Sequence, residues 1–222
     1  MTARAIVVGA GGRMGRTVLA LAGETAGIDV VFGADPLTGN SLASAPPEAD
    51  VVIDFSTALA LPETLGFCVS RGLPLILATT GHTTYEAVEA AAGQIAILAS
   101  ANLSLGALVL SRLAREARRL LAGAYDVTIL ETHHRAKKDA PSGTAKMLAA
   151  AMDAPGPAVT TLSIRGGGVF GTHEVRFLGD MDVVTLRHEA IDRRLFAKGA
   201  LEAAKWIVGR APGLYKLDDV YA

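Results

Sequence analysis

Cys68 is the only cysteine in 222 residues. One thiol closes no internal disulfide and builds no metal cluster; on LPETLGFCVSRG it reads as a small buried residue of a helix. Aromatic residues are scarce at 5%, too few to furnish stacking platforms for single-stranded nucleic acid. Net charge is almost absent, −1 at pH 7 with a pI near 6.5. That balance draws the whole molecule to neither nucleic acid nor acidic membranes, so no nucleic-acid partner is expected. No apolar run is long enough to span a bilayer. MTARAIVVGAGG lacks the apolar stretch and cleavage site of a secretory leader, and the expectation is a cytoplasmic protein with no membrane partner. There is no internal repeat, and the Pro/Gly loop DAPGPA (153–158) is too short to join domains.

What is present is apolar. Hydrophobic residues make up 50% and charged residues 19%, enough for a real core in one large domain or two modest ones. The first half alternates short apolar runs with helical patterns. ARAIVVG, DVVFGAD, ADVVIDFS, LPLILATT and QIAILASAN read as strands. RMGRTVLALAGE, the stretch around Pro62–Arg71 and TTYEAVEAAAG read as helices. Continuous apolar strands between helices are the mark of a parallel sheet covered on both faces. The expected fold is therefore α/β, a Rossmann-like doubly wound domain reaching Asn102.

The rhythm then changes. LGALVLSRLAREARRLL is an amphipathic helix, with leucines expected inside and arginines outside. YDVTILETHH is a strand and SGTAKMLAAAMDA a helix. TTLSIRGG, THEVRFLG and DVVTLRHEA follow as strands, the last two joined by a hairpin turn around Asp180. These make a smaller α+β domain with a mixed, largely antiparallel sheet. RRLFAKGALEAAKWIVGR closes as a helix and GLYKLDDVYA as a tail. The expected division is 1–102 with 194–222 for a dinucleotide-binding domain, and 103–193 for a substrate-binding and oligomerisation domain.

VVGAGGRMGRTV places Gly9, Gly12 and Gly15 between the first strand and the first helix, with Arg13 and Met14 inside the loop. Such glycines allow a tight turn, approach of backbone to a pyrophosphate, and close helix–strand packing. The helix start offers its free N–H groups to the phosphates. A plain strand–helix turn would not need three spaced glycines. Asp35 ends the second strand, where an acid accepts from the adenine ribose of NAD and repels the extra phosphate of NADP. Arg13 could meet that phosphate, so NADH is expected to serve well and NADPH stays open. LATTGH and ASANLSLG finish later strands at the carboxyl edge, where ligands bind in open α/β sheets. They bring Ala78, Thr79, Thr80, Ser100, Ala101, Asn102 and Leu103 into the candidate cofactor site.

ETHHRAKKDAPSGTA (131–145) is the densest polar stretch. His133 and His134 are neighbours at a strand end and point to opposite faces, so they do different work. Histidine can donate a proton near neutral pH, and Lys137 offers a fixed positive charge. Ser142, Gly143 and Thr144 open a helix whose N–H groups and dipole attract a carboxylate. The stretch reads as an anion site with an acid beside it; a solvated basic loop with an ordinary cap at Ser142 would explain the cap and not the histidines. Adjacent histidines lack the spacing of a helical zinc pair, so no metal is expected.

ETHHRAKKDAPSGTA, with VGAGGRMGR, DFST, ATTGH, SANLSLG, SIRGGGVFGTHEV, HEAIDRRLFAKGAL and GLYKLDDV in order, resembles the 4-hydroxy-tetrahydrodipicolinate (dihydrodipicolinate) reductase family from about Ile6 to Val220. The histidine-to-threonine run is highly specific, the glycine loop is not. The resemblance implies an NADH- or NADPH-dependent reductase of the diaminopimelate route to lysine, delivering hydride to C4 of a cyclic imine-type dicarboxylate. It implies His133 as proton donor, Lys137 as essential lysine, and His134, Ser142, Gly143, Thr144 and Arg193 as substrate contacts. A homotetramer joined through the second domain's sheet, and domain closure, are further implications. The chain departs from the family pattern at Ala78, at Pro36, and in a short stretch between Met152 and Val159. The rival readings are a reductase of another small dicarboxylate and a non-catalytic dinucleotide sensor. Both share the glycine loop, and neither accounts for the His-His-Lys-Ser-Gly-Thr set.

Overall fold

The computed structural model describes residues 2–79, 85–121, 123–153 and 156–222. It divides into two compact units, 1–103 with 194–222, and 104–193. Leu103 thus belongs to the first unit, one residue past the boundary expected from sequence. Its buried side chain and its carbonyl pack where a Cβ on Gly199 would intrude, which ties it to the closing helix.

The first unit is a six-stranded parallel sheet. Its strands are β1 (Ala3–Val8), β2 (Ile28–Ala34), β3 (Val51–Asp54), β4 (Leu75–Leu77), β5 (Ala96–Ala99) and β10 (Gly213–Tyr215), in the order β10-β5-β4-β3-β1-β2. GLYKLDDVYA, expected as a tail, instead adds β10 in parallel to β5 and ends in the short helix α7 (Leu217–Val220). Three residues carry too little pattern to be read as a strand; the edge of β5 supplies the partner. Helices α2 (Leu61–Arg71) and α3 (Glu86–Ala92) pack Leu65, Cys68 and Val88 onto Ile6, Val52, Leu75 and Ile97. Helices α1 (Arg13–Ala22) and α6 (Arg194–Ile207) pack together, α6 burying an alanine-rich face. Strand order reverses between β1 and β3, and a doubly wound sheet binds its ligand in that crevice. Cys68 is buried and free, and burial pushes its thiol well above the ordinary range.

The second unit carries α4 (Leu105–Leu121), β6 (Asp126–His133), α5 (Gly143–Ala151), β7 (Val159–Arg165), β8 (Thr172–Leu178) and β9 (Val183–Glu189). Its sheet order is β7-β6-β8-β9; β6 and β7 are parallel, and the other pairs antiparallel. Val127, Ile129, Val175 and Phe177 face Leu110, Ala114, Ala145 and Leu148 of the helices. The expectation of leucines inside and arginines outside on α4 holds for Leu108, Leu110, Arg115 and Arg119 and is corrected at other positions. Leu105, Val109, Leu113 and Leu120 are exposed, whereas Arg118 is buried and donates from Nη2 to the Pro157 carbonyl at 2.7 Å. The buried stripe runs Ala107, Leu110, Ala114, Arg118, so the arginine sits at its end and reaches a loop carbonyl rather than water. Among the described residues no helix is long and apolar enough to cross a membrane.

Candidate functional site

At the end of β1 the chain turns through Gly9 (φ +80°), where a Cβ would lie 2.8 Å from the Phe55 backbone. A Cβ on Gly15 would run into the Gly9 carbonyl. Both positions therefore need glycine for the strand-to-helix turn to close. Helix α1 opens at Gly12 with no side-chain cap and no acid in its first turn, which leaves first-turn N–H groups for an anion. Arg13, exposed, and Met14 are the first residues of that helix.

Beside this turn lies a cavity of about 660 Å³. Gly9, Gly12 and Asp35 line it with Asn40, Phe55 and Ser56, and the size suits a nucleotide half. Among the described residues its only charged lining groups are Asp35 and Glu63. The Asp35 carboxylate accepts from the Gly11 N–H (2.9 Å) and the Leu37 N–H (2.7 Å), so it braces the glycine loop and caps the next turn. Each oxygen keeps a second lone pair, so a ribose hydroxyl remains within its capacity. The glycine cradle and acidic wall fit a dinucleotide.

Asp54, fully buried at the end of β3, was not singled out by sequence. One oxygen accepts from the Ser56 N–H and hydroxyl and from Thr79 Oγ1 at 2.9 Å, which fixes the cavity loop to the end of β4. Ala78 donates its N–H to the Asp54 carbonyl. Ser100 Oγ donates to the Asn102 carbonyl, Ala101 is exposed, and Leu103 is core. Thr80 lies outside the described residues.

In the second unit, period-two alternation puts Glu131 and His133 on the helix-facing side of β6. Register adds Ser163 and Arg165 from β7, and His173 from β8, directly opposite Glu131. Glu131 is fully buried and pairs with both Arg165 terminal nitrogens, at 2.8 and 3.0 Å. It also bonds His133 Nδ1 and accepts the Ser142 N–H at 3.3 Å. Burial opposes ionisation of Glu131, but hydrogen bonds from Arg165, Ser163 and His133 outweigh it and hold the pKa at about 2. Burial draws His133 below the ordinary imidazole value; Glu131 works against this, Lys137 and Arg165 with it.

His173, 2% exposed, packs edge-on to His133 with ring centroids 5.0 Å apart, and its Nε2 meets Ser142 Oγ at 3.3 Å. Burial, with repulsion from His133, draws its pKa down to about 3, so it is neutral in the folded protein near neutral pH. Ser142 caps α5 by accepting from the Ala145 N–H, and Gly143 and Thr144 form its first turn. Lys137 Nζ pairs with Asp139 at 2.9 Å, and the His134 carbonyl accepts the Lys137 N–H. Arg193 of the second unit lays its guanidinium over Phe170 at 5.2 Å, whereas the adjacent Arg194 opens α6 in the first unit.

The structure thus gathers His133, Ser142, Gly143 and Thr144 with Glu131, Arg165 and His173, which sequence reasoning did not name. Glu131 was legible as the same-face neighbour two before His133; Arg165 and His173 come from other strands and only register finds them. Ligand atoms of Glu131, His133 and His173 lie within 4.8 Å of one another, the spacing of a metal trio. Arg165 occupies both carboxylate oxygens, so a fixed cation already holds the acid such a metal would need.

The chain matches the dihydrodipicolinate reductase N-terminal domain over residues 3–103 and the C-terminal domain over 106–221. A 4-hydroxy-tetrahydrodipicolinate reductase of Caldanaerobacter subterraneus subsp. tengcongensis is 39% identical, across 99% of this chain and 98% of its own. One from Rickettsia bellii is 42% identical, across 96% and 92%. In fold, the chain is similar to a dipicolinate-bound dihydrodipicolinate reductase from Paenisporosarcina sp. TG-14, with TM-score 0.74, 21% identity, and coverage of 97% and 98%.

Proposed function

Because the chain belongs to the dihydrodipicolinate reductase family, we propose that it reduces 4-hydroxy-tetrahydrodipicolinate to tetrahydrodipicolinate in the diaminopimelate route of lysine biosynthesis. The observation that carries this reading is the buried His133 beside the Ser142-capped start of α5, on one sheet face. Bound NADH or NADPH supplies the hydride. Gly9, Gly12 and the first turn of α1 receive the pyrophosphate, and Asp35 receives the adenine ribose.

The N–H groups of α5 with the Ser142 and Thr144 hydroxyls grip one substrate carboxylate, and Lys137 meets the other, with His134 and Arg193 as further contacts. Holding the dianion still is much of the catalysis. Its charge beside His133 also raises the proton affinity of an imidazole that burial keeps neutral at rest. The charged ring then keeps Nδ1–H on Glu131 and passes its Nε2 proton to the substrate ring as hydride arrives. NADH is expected to serve better than NADPH, since Asp35 and Glu63 repel a 2′-phosphate and no cation lines the cavity among the described residues.

A homotetramer fits the second sheet. The face away from α4 and α5 leaves Leu162, Ile164 and Val183 exposed beside the Arg187–Glu189 pair at 2.6 Å. A sheet face that mixes exposed apolar side chains with paired charges suits contact with another copy of the chain. The test is oxidation of NADH and of NADPH, with substrate generated in place from pyruvate and aspartate semialdehyde by the preceding synthase. Substrate-dependent oxidation supports the reductase. Folded protein that binds NADH without oxidising it would leave the sensor reading, and activity with a different dicarboxylate only would leave the rival reductase.

A further inference from the structure

Glu131 takes no part in the proton and carboxylate roles given to His133, Lys137 and the start of α5, yet its charge is fully buried. A buried charge persists only when paired and hydrogen-bonded, and removing one partner is strongly destabilising. The Arg165 fork satisfies it on one side, and Arg165 is itself held by the Asp139 and Ile164 carbonyls. On the other side the same carboxylate meets two groups of the proposed mechanism, His133 Nδ1 and the Ser142 N–H.

We infer that Glu131, clamped by Arg165, is the positioning residue of this site: it holds the proton on His133 Nδ1, leaves Nε2 as the nitrogen that acts, and ties the imidazole to the start of α5. An ionised carboxylate only accepts, so the nitrogen bonded to it must be the donor. Neutral imidazole in water favours the other tautomer, with the proton on Nε2; the protein reverses that preference by placing the acid on the same strand face, two residues away. Space on the Nε2 side is kept by Gly171, where a Cβ would lie 2.9 Å from that atom. The Ser142 bond makes the coupling two-sided. A carboxylate gripped by α5 and a proton on His133 are then held to one rigid group, and geometry between them is what positioning contributes.

The groups that act on His133 electrostatically are Glu131 on its own strand, Arg165 of β7, and Lys137 of the following loop, itself paired with Asp139. His173 of β8 packs on it and is neutral near neutral pH, with His188 of β9 beyond. Glu131 is the one group among them that favours the charged ring. Its removal therefore lowers the pH up to which His133 can act as an acid.

The catalytic part of the inference rests on the reductase reading; the tautomer does not. The experiment compares wild type with Glu131→Gln and Glu131→Asp for kcat across pH and for KM of NADH. Expected for Glu131→Gln is a loss in kcat of about tenfold or more at neutral pH, an unchanged KM for NADH, and a kcat profile displaced to lower pH. Glu131→Asp, which keeps the charge, should hold the profile near that of wild type. Full kcat with an unmoved profile overturns the inference, as does lowered kcat with an unmoved profile, the mark of a merely structural role. Should Glu131→Gln not fold, nitrogen NMR of labelled histidine in wild type decides, with His133→Gln assigning the signal. An Nδ1–H tautomer supports the inference, and Nε2–H overturns it. A wild type that oxidises no cofactor would fail the reductase reading and leave the tautomer result standing.

Discussion

Opposing influences meet on His133. Burial favours its neutral form, while the Glu131 carboxylate favours the charged one, as the proposed dianionic substrate would. A group poised in this way can gain and lose a proton within one turnover, as a general acid must. His133→Gln and Lys137→Ala are each expected to lower kcat by about a hundredfold or more, with NADH affinity and the unfolding midpoint near wild type. Cofactor titration and thermal melts check the second half, and near-normal turnover in both variants would sink the site assignment. His173 makes a different prediction. Its folded pKa of about 3 lies below the ordinary 6.5, so the stability it contributes is complete above 6.5 and is lost as pH falls toward 3. In that window the unfolded chain takes a proton the folded one refuses, at up to about 1.4 kcal/mol per pH unit. Glu131 adds a second loss beginning near 4.5, as pH falls toward its folded value of about 2. Urea unfolding at a series of pH values should show both, and His173→Gln should flatten the upper one.

Among the elements, α5 has the most at stake in a single side chain. Ser142 Oγ caps it and also satisfies His173 Nε2. Ser142→Ala removes a cap worth about 1 kcal/mol and leaves a buried ring nitrogen without its partner. The expected outcome is a lower melting temperature together with a raised KM for substrate and little change in KM for NADH. Strand β6 shows why the site was only half legible. Its alternation places Glu131 and His133 together for any reader who counts by two. The pairings Glu131↔His173 and His133↔Arg165 depend on which strand lies beside which. No local pattern in TTLSIRGG or THEVRFLG says that they flank β6 on opposite sides. Helix α4 formed as read, but Arg118 escaped the reading for a related reason: amphipathic periodicity names two faces but does not say which long side chain ends beside a loop carbonyl.

For the whole molecule, the proposed assembly turns on the exposed face of the second sheet. If that face joins subunits, Ile164→Asp and Leu162→Asp introduce charges that a dry interface would have to bury unpaired. Light scattering should then show wild type as a tetramer and the double variant as smaller species, with its secondary structure retained. An unchanged mass for the double variant would remove that face from the assembly. The lining of the first unit's cavity, with two acids and no described cation, is the basis of the proposed preference for NADH, which the two oxidation rates test.

The sequence by itself determined the class of each half. Apolar runs between helical patterns dictated a parallel sheet, the spaced glycines dictated a close turn, and the run from His133 to Thr144 carried the family likeness. These are local properties, set by side-chain period, backbone freedom and residue type. Tertiary structure alone decided what surrounds the acid. It brought Arg165 and His173 onto the face of Glu131, turned Asp35 toward the Gly11 N–H, and drew three residues of the terminal segment into the first sheet. Such contacts arise from strand order and register, which depend on the whole chain packing at once, and that is why no single stretch announces them.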